Sequence, residues 1–124
     1  MEESSGKIER RRDKRFTAGE NVFAVIKMKK MIICKVANVS KGGLFFYSEE
    51  LDKIENTSLK VDIYINDKVY IHNVQVSIVS EFITQDEKAF DGFPIRYLNL
   101  SFNELNKIQK DRILDIIAKS DPCA

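Results

Sequence analysis

From Asn21 onward the chain alternates. Val22, Ala24, Ile26 and Met28 fall on one side of an extended segment and Lys27 and Lys29 on the other, the period-two signature of a half-buried β-strand. MIICKVAN (31–38) predicts a return strand, and Gly42-Gly43 breaks the chain before a short strand, LFFYS (44–48). After a polar stretch, 49–58, the alternation is clearest: Leu59, Val61, Ile63 and Ile65 face in, while Lys60, Asp62 and Asn66 face out. Asn66-Asp67 suits a two-residue hairpin turn. The next strand, 68–82, changes phase from Val69/Ile71 to Val74/Val76/Ile78, which a bulge near His72-Asn73 explains. A polar loop, 84–92, leads to a last strand, FPIRYLNL (93–100).

The period then changes. Leu105, Ile108, Ile113, Ile116 and Ile117 make a helical stripe. Ser101 and Glu104 form an S-x-x-E start signal, with Leu100 and Leu105 as the flanking apolar staple, and Pro122 cannot continue the helix. The expectation is all-β: about six antiparallel strands closing into a small barrel, then one C-terminal helix of four to five turns covering an open end or side. At 124 residues the chain suits one domain. Its parts are a disordered tail at 1–8 and a folded unit at 9–120, composed of a basic arm (9–16), a barrel (about 20–100) and a helix (about 102–119).

Charge separates the arm from the rest. The net charge is only +1, yet Lys7, Arg10, Arg11, Arg12, Lys14 and Arg15 against Glu9 and Asp13 give 7–15 a net +4, leaving −3 for the remainder. Such an arm seeks phosphate, carboxylate or an anionic surface. Guanidinium pairs bidentately with phosphate and stacks on aromatic planes, and Arg11 and Arg15, four apart, can clamp one ligand. A second cluster, Asn38-Val39-Ser40-Lys41-Gly42-Gly43, offers an amide, a hydroxyl and a tight backbone; it also reads as an ordinary polar turn. A strand out and a strand back separate the two, so both return to one barrel end.

No catalytic set accompanies these groups. His72 is the only histidine, and no serine lies in a nucleophile elbow. Cys34 and Cys123 form no metal-binding spacing, and no phosphate-binding glycine motif occurs. Asp86, Glu87 and Asp91 read as solvated loop carboxylates. Phe45, Phe46 and Tyr47 read first as core and second as a ring reaching a ligand. The polar N-terminus MEESSGKIE is no signal peptide and no run approaches membrane-spanning length, so free thiols in the cytoplasm are expected.

R-x-x-x-R followed by N-x-S-x-x-G resembles the paired motif of the PilZ domain, a bacterial receptor module for cyclic di-GMP. Arg11 and Arg15 match the first part; Asn38, Ser40 and Gly43 match the second. FPIRYLNLS resembles the family's last strand, and the similarity runs from about residue 9 to 118. The resemblance implies a six-stranded antiparallel barrel with a C-terminal helix. It implies that Arg11 and Arg15 grip phosphates and stack on guanines, that Asn38 and Ser40 contact a guanine edge, and that Gly43 shapes the turn. Arg10, just before the pair, tends in the family to accompany two intercalated ligand copies. Asn38 replaces the commoner aspartate, and Pro94 stands where glycine is frequent, a disturbance expected in the last strand. The implied function is a non-enzymatic receptor, monomer or homodimer, that signals to an unidentified effector protein, with no cofactor and no metal. Two other readings stand beside it: a barrel binding single-stranded nucleic acid, disfavoured because its aromatics mostly follow inward positions, and an interaction module without ligand.

Overall fold

A computed structural model describes residues 14–50, 54, 57–84 and 94–123. The tail 1–8, Arg10, Arg11, Arg12 and the loop carboxylates Asp86, Glu87 and Asp91 lie outside the described residues. The strands are β1 (Phe16–Thr17), β2 (Val22–Ile26), β3 (Ile32–Val39), β4 (Gly43–Ser48), β5 (Ser58–Ile65), β6 (Lys68–Thr84), β7 (Ile95–Phe102) and β8 (Asp121–Pro122). One helix, α1 (Lys107–Ala118), lies between β7 and β8. The long strands run β2-β5-β6-β7-β4-β3, and pairing of β2 with β3 closes them into a six-stranded antiparallel barrel. The short strands β1 and β8 extend β3 outward.

Alternation builds the interior. Ala24, Ile26, Cys34, Val36, Phe46 and Leu98 are fully or almost fully excluded from solvent. Asn66 and Asp67 both take left-handed φ, 54° and 66°, the conformation of the tight turn whose twist matches a hairpin. The bulge at His72-Asn73 is present: Val61 pairs with Val74 and Ile63 with Ile71, so two residues of β6 oppose Asp62 alone. Asn73, at φ 51°, donates its N–H to Asp62 Oδ1 at 2.8 Å. That contact and Lys27 Nζ, 3.2 Å from Oδ2, keep Asp62 buried, where alternation alone places it in solvent. A further slip between Ile63 and Tyr64 brings Tyr70, rather than Val69, against the core.

The helix starts later than its sequence signal. Ser101 and Phe102 remain in β7, paired with Gly43 and Ser77, and with Val76; ladder bonds on both flanks outweigh the local capping pattern. The cap is Asn106, whose side chain accepts from Gln109 N–H at 2.8 Å while Gln109 Oε1 accepts from Asn106 N–H at 3.0 Å, a reciprocal capping box. Leu100 is therefore a core strand residue and no staple, and the helix has 12 residues, about three turns. Ile113 and Ile116 are buried, but Ile108 is 64% exposed. Gln109 Nε2 donates to the carbonyls of His72 and Asn73, and Arg112 Nη1 to that of Tyr70. Bulges in β6 thus provide the carbonyls on which the helix rests. Pro94 is exposed and precedes β7, outside its ladder, so the strand is undisturbed. Met28 lies beyond the end of β2 and is exposed.

Candidate functional site

The Ser40–Gly43 turn joins β3 to β4. Ser40 N–H donates to Gly43 O at 2.9 Å, and Ser40 Oγ accepts from Gly42 and Gly43 N–H at 3.2 and 3.1 Å. The buried hydroxyl therefore organises the turn from within. Gly43 is required by proximity: a Cβ there would stand 1.9 Å from the carbonyl oxygen of Leu100.

One turn earlier, β3 changes phase. Val36 pairs with Phe46, but Asn38 pairs with Phe45, leaving Ala37 as the extra residue of a bulge. Ile32, Cys34 and Val36 point inward, and strict alternation would send Asn38 after them. The bulge returns Val39 to the core and turns Asn38 to the outer face, half-exposed. Ala37 O then accepts from Ala18 N–H at 3.1 Å, beside the register pairs Phe16 with Val39 and Thr17 with Asn38. Phe16 and Thr17 are thereby held as a strand along the outer edge of the motif.

Arg15 closes the cluster. Its Nη1 donates to Asn38 Oδ1 at 2.8 Å and its Nη2 to Asn99 Oδ1 at 3.0 Å, a bridge from β3 to β7 across β4. Cys123 N–H donates to Arg15 O at 3.0 Å. Of the sequence-derived residues, Arg15, Asn38, Ser40 and Gly43 come together; Arg10 and Arg11 lie outside the described residues. Asn99 is an addition. Its signal was its phase: Leu98 and Leu100 are inward residues, so Tyr97 and Asn99 must face out.

The same outer face carries rings. Phe45 and Tyr47 of β4 and Phe82 of β6 each contact Tyr97 of β7, with centroids 5.6 Å apart for Phe45–Tyr97, 4.9 Å for Tyr97–Phe82 and 5.3 Å for Tyr47–Tyr97, and Phe45 also meets Phe82 at 5.9 Å. The expectation that aromatics follow inward positions is corrected here: Phe46 is core, but its neighbours alternate outward. On the far side of the motif, Lys35 Nζ donates to the carbonyls of Gly19, Val22 and Val36 at 2.6, 3.2 and 3.2 Å, pinning the connection between arm and barrel. Its partial burial pulls the ammonium below its ordinary pKa, with Glu20 opposing. Burial pushes the Cys34 thiol up to about 12, aided by Glu50, which leaves it inert. Cys34 and Cys123 are both free thiols.

The cluster offers planar donors, amides and stacking surfaces. Among the described residues no group of three or more His, Cys, Asp or Glu converges to hold a metal, and no helix is long and apolar enough to cross a membrane.

A closed six-stranded antiparallel barrel with a C-terminal helix is the fold of the PilZ domain, and this chain has it. It is similar to the PilZ domain of YcgR from Escherichia coli, solved with c-di-GMP: TM-score 0.65, 17% identity, covering 90% of this chain and 91% of that one. It is similar to MrkH of K. pneumonia in its c-di-GMP complex (TM-score 0.71, 15% identity, 90% and 52% of the two chains). It is also similar to the Bacillus subtilis inhibitor of motility, MotI (0.61, 19%, 90% and 51%). The chain thus spans nearly all of the YcgR domain but about half of MrkH and MotI. No known family profile matches the chain, and no curated protein sequence does.

Proposed function

We propose that the chain is a member of the PilZ family that binds cyclic di-GMP without catalysis and passes the signal to a partner protein. The observation that carries this reading is the bridge from Arg15 to Asn38 and Asn99. It joins the arginine motif and the polar turn motif, 23 residues apart in sequence, on one outer face. Arg11 and Arg15 grip phosphate and stack on guanine, Asn38 reads a guanine edge, and Ser40 and Gly43 hold the turn that aims it. Arg10 neutralises and stacks on a second ligand copy. The similarity to structures solved with c-di-GMP supports the reading. Ligand contact engages the arginines of the arm, and the changed surface is what the effector meets.

Calorimetric titration with cyclic di-GMP, against GTP and GMP, tests the assignment. Wild-type protein saturates selectively; Arg15→Ala loses at least about tenfold in affinity, since a charge-assisted contact contributes about 1.5–3 kcal/mol. Equal binding by Arg15→Ala overturns the mechanism. The fitted stoichiometry tests Arg10.

A second reading has one observation in its favour. Outward-facing, half-exposed rings beside an arginine are what single-stranded nucleic acid stacks on. Binding to oligonucleotides with steep salt dependence and no preference for cyclic di-GMP would favour it.

A further inference from the structure

Phe45, Tyr47, Tyr97 and Phe82 stand apart from the core: none is a core residue or one of the partly buried hydrophobics packed on it. Phe82 is 48% exposed. Single exposed rings are ordinary, but rings on three adjoining strands, β6, β7 and β4, form a continuous wall. The planes of Phe82 and Tyr97 differ by 9° and those of Tyr97 and Phe45 by 16°. At centroid separations of 4.9 and 5.6 Å, near-parallel rings of this size fit only as an offset face-to-face stack. Phe45 and Phe82 also approach, with centroids 5.9 Å and planes 25° apart, so the three rings form one compact cluster on the outer face.

The wall ends beside Arg15. Phe45 pairs in register with Asn38 on one side and Asn99 on the other, and these are the two amides that hold the guanidinium. A planar group whose edge lies on Asn38 therefore lies against Phe45, the ring of the cluster beside β3. Phosphate contacts need no such surface; a purine does.

We propose that the outer face of Phe45, backed by Tyr97 and Phe82, is the stacking site for one purine base of the nucleotide, a site separate from the arginine contacts. The inference rests on the cyclic dinucleotide reading above. It makes the wall the element that distinguishes a base from a bare phosphate.

Cyclic di-GMP is titrated into wild-type protein, Phe45→Leu, Phe45→Trp and, as a control on β5, Tyr64→Leu, with thermal melts to confirm folding. Stacking contributes about 1–3 kcal/mol per base, so Phe45→Leu weakens binding by about 5- to 150-fold. Tyr64→Leu leaves affinity unchanged. Phe45→Trp retains affinity. Because the chain has no tryptophan, that variant reports alone, and its emission is quenched at saturation. If wild type binds, but Phe45→Leu binds within twofold of it and the Phe45→Trp emission does not change, the stacking site is overturned while the receptor reading stands. If wild type binds no cyclic di-GMP, both fall.

Discussion

Gly43 is tested by a single methyl. Its would-be Cβ lies 1.9 Å from Leu100 O and 2.9 Å from Leu100 C, both backbone atoms of β7 that no rotamer change can move. Gly43→Ala must therefore push β4 off β7 where the motif turn begins. Overpacking of this kind costs about 1–3 kcal/mol, a drop of several degrees in melting temperature for a domain of this size. An unchanged melt would mean that the strands part there freely. The residue was legible in the sequence as part of N-x-S-x-x-G, but its reason was not: the constraint comes from a strand more than fifty positions away. Ser40 shows the same division. Its place in the motif was visible, whereas the turning of its hydroxyl toward Gly42 and Gly43 N–H follows from the turn geometry.

Elements were legible where hydrophobic phase and backbone agreed. The bulge at His72-Asn73 announced itself because Ile71 and Val74, both apolar, sit at odd spacing. Val36 and Val39 carry the same signal, but Ala37 suits either face, and the bulge that turns Asn38 outward went unseen. The helix start failed for a different reason: Ser101–Glu104 satisfies a local rule that the ladder of β7 overrides. How α1 is fastened can be read by pH. Tyr70 OH donates to Asp115 Oδ2 at 2.5 Å. That bond, then Lys119, holds the Asp115 carboxyl below its ordinary range, and the same bond pushes the Tyr70 hydroxyl up. A depressed carboxyl stabilises the fold above its unfolded value, about 4, and loses that contribution as pH falls through the folded value. A raised phenol stabilises below about 10 and loses its contribution as pH rises further. Melting temperature measured against pH for wild type and Tyr70→Phe should differ by a constant amount between about 5 and 9, the gap narrowing below about 4 and above about 10. A gap that ignores pH would show that only packing, not the hydrogen bond, holds the helix.

At the scale of the molecule, the two outermost described segments meet at the candidate site. Phe16 and Thr17 pair with Val39 and Asn38 on one side and with Pro122 and Asp121 on the other. Pro122 is tolerated because it sits at an edge, and the sequence reading assigned it only the end of the helix. Its larger part is to seat β8 against the arm, with Cys123 N–H on Arg15 O at 3.0 Å and Thr17 Oγ1 3.5 Å from Cys123 Sγ. Arg15, Phe16 and Thr17 are thus held in place without a ligand, and their hold depends on where the helix delivers the chain. Deleting residues 121–124 should release Arg15 and Phe16 from one of their two neighbours while leaving the barrel closed, since β8 pairs with β1 and with no strand of the barrel. Fixing a residue's backbone costs about 1–2 kcal/mol, so a ligand that must order Arg15 and Phe16 itself binds at least about tenfold more weakly. Hydrogen exchange gives the second reading: the amides of Phe16, Thr17 and Ala18 exchange faster in the truncated protein, while those of Val61, Val74 and Leu98 keep their protection. Unchanged exchange at 16–18 together with unchanged affinity would show that β3 alone holds the arm. Faster exchange with unchanged affinity would show that the order is real but that binding does not draw on it.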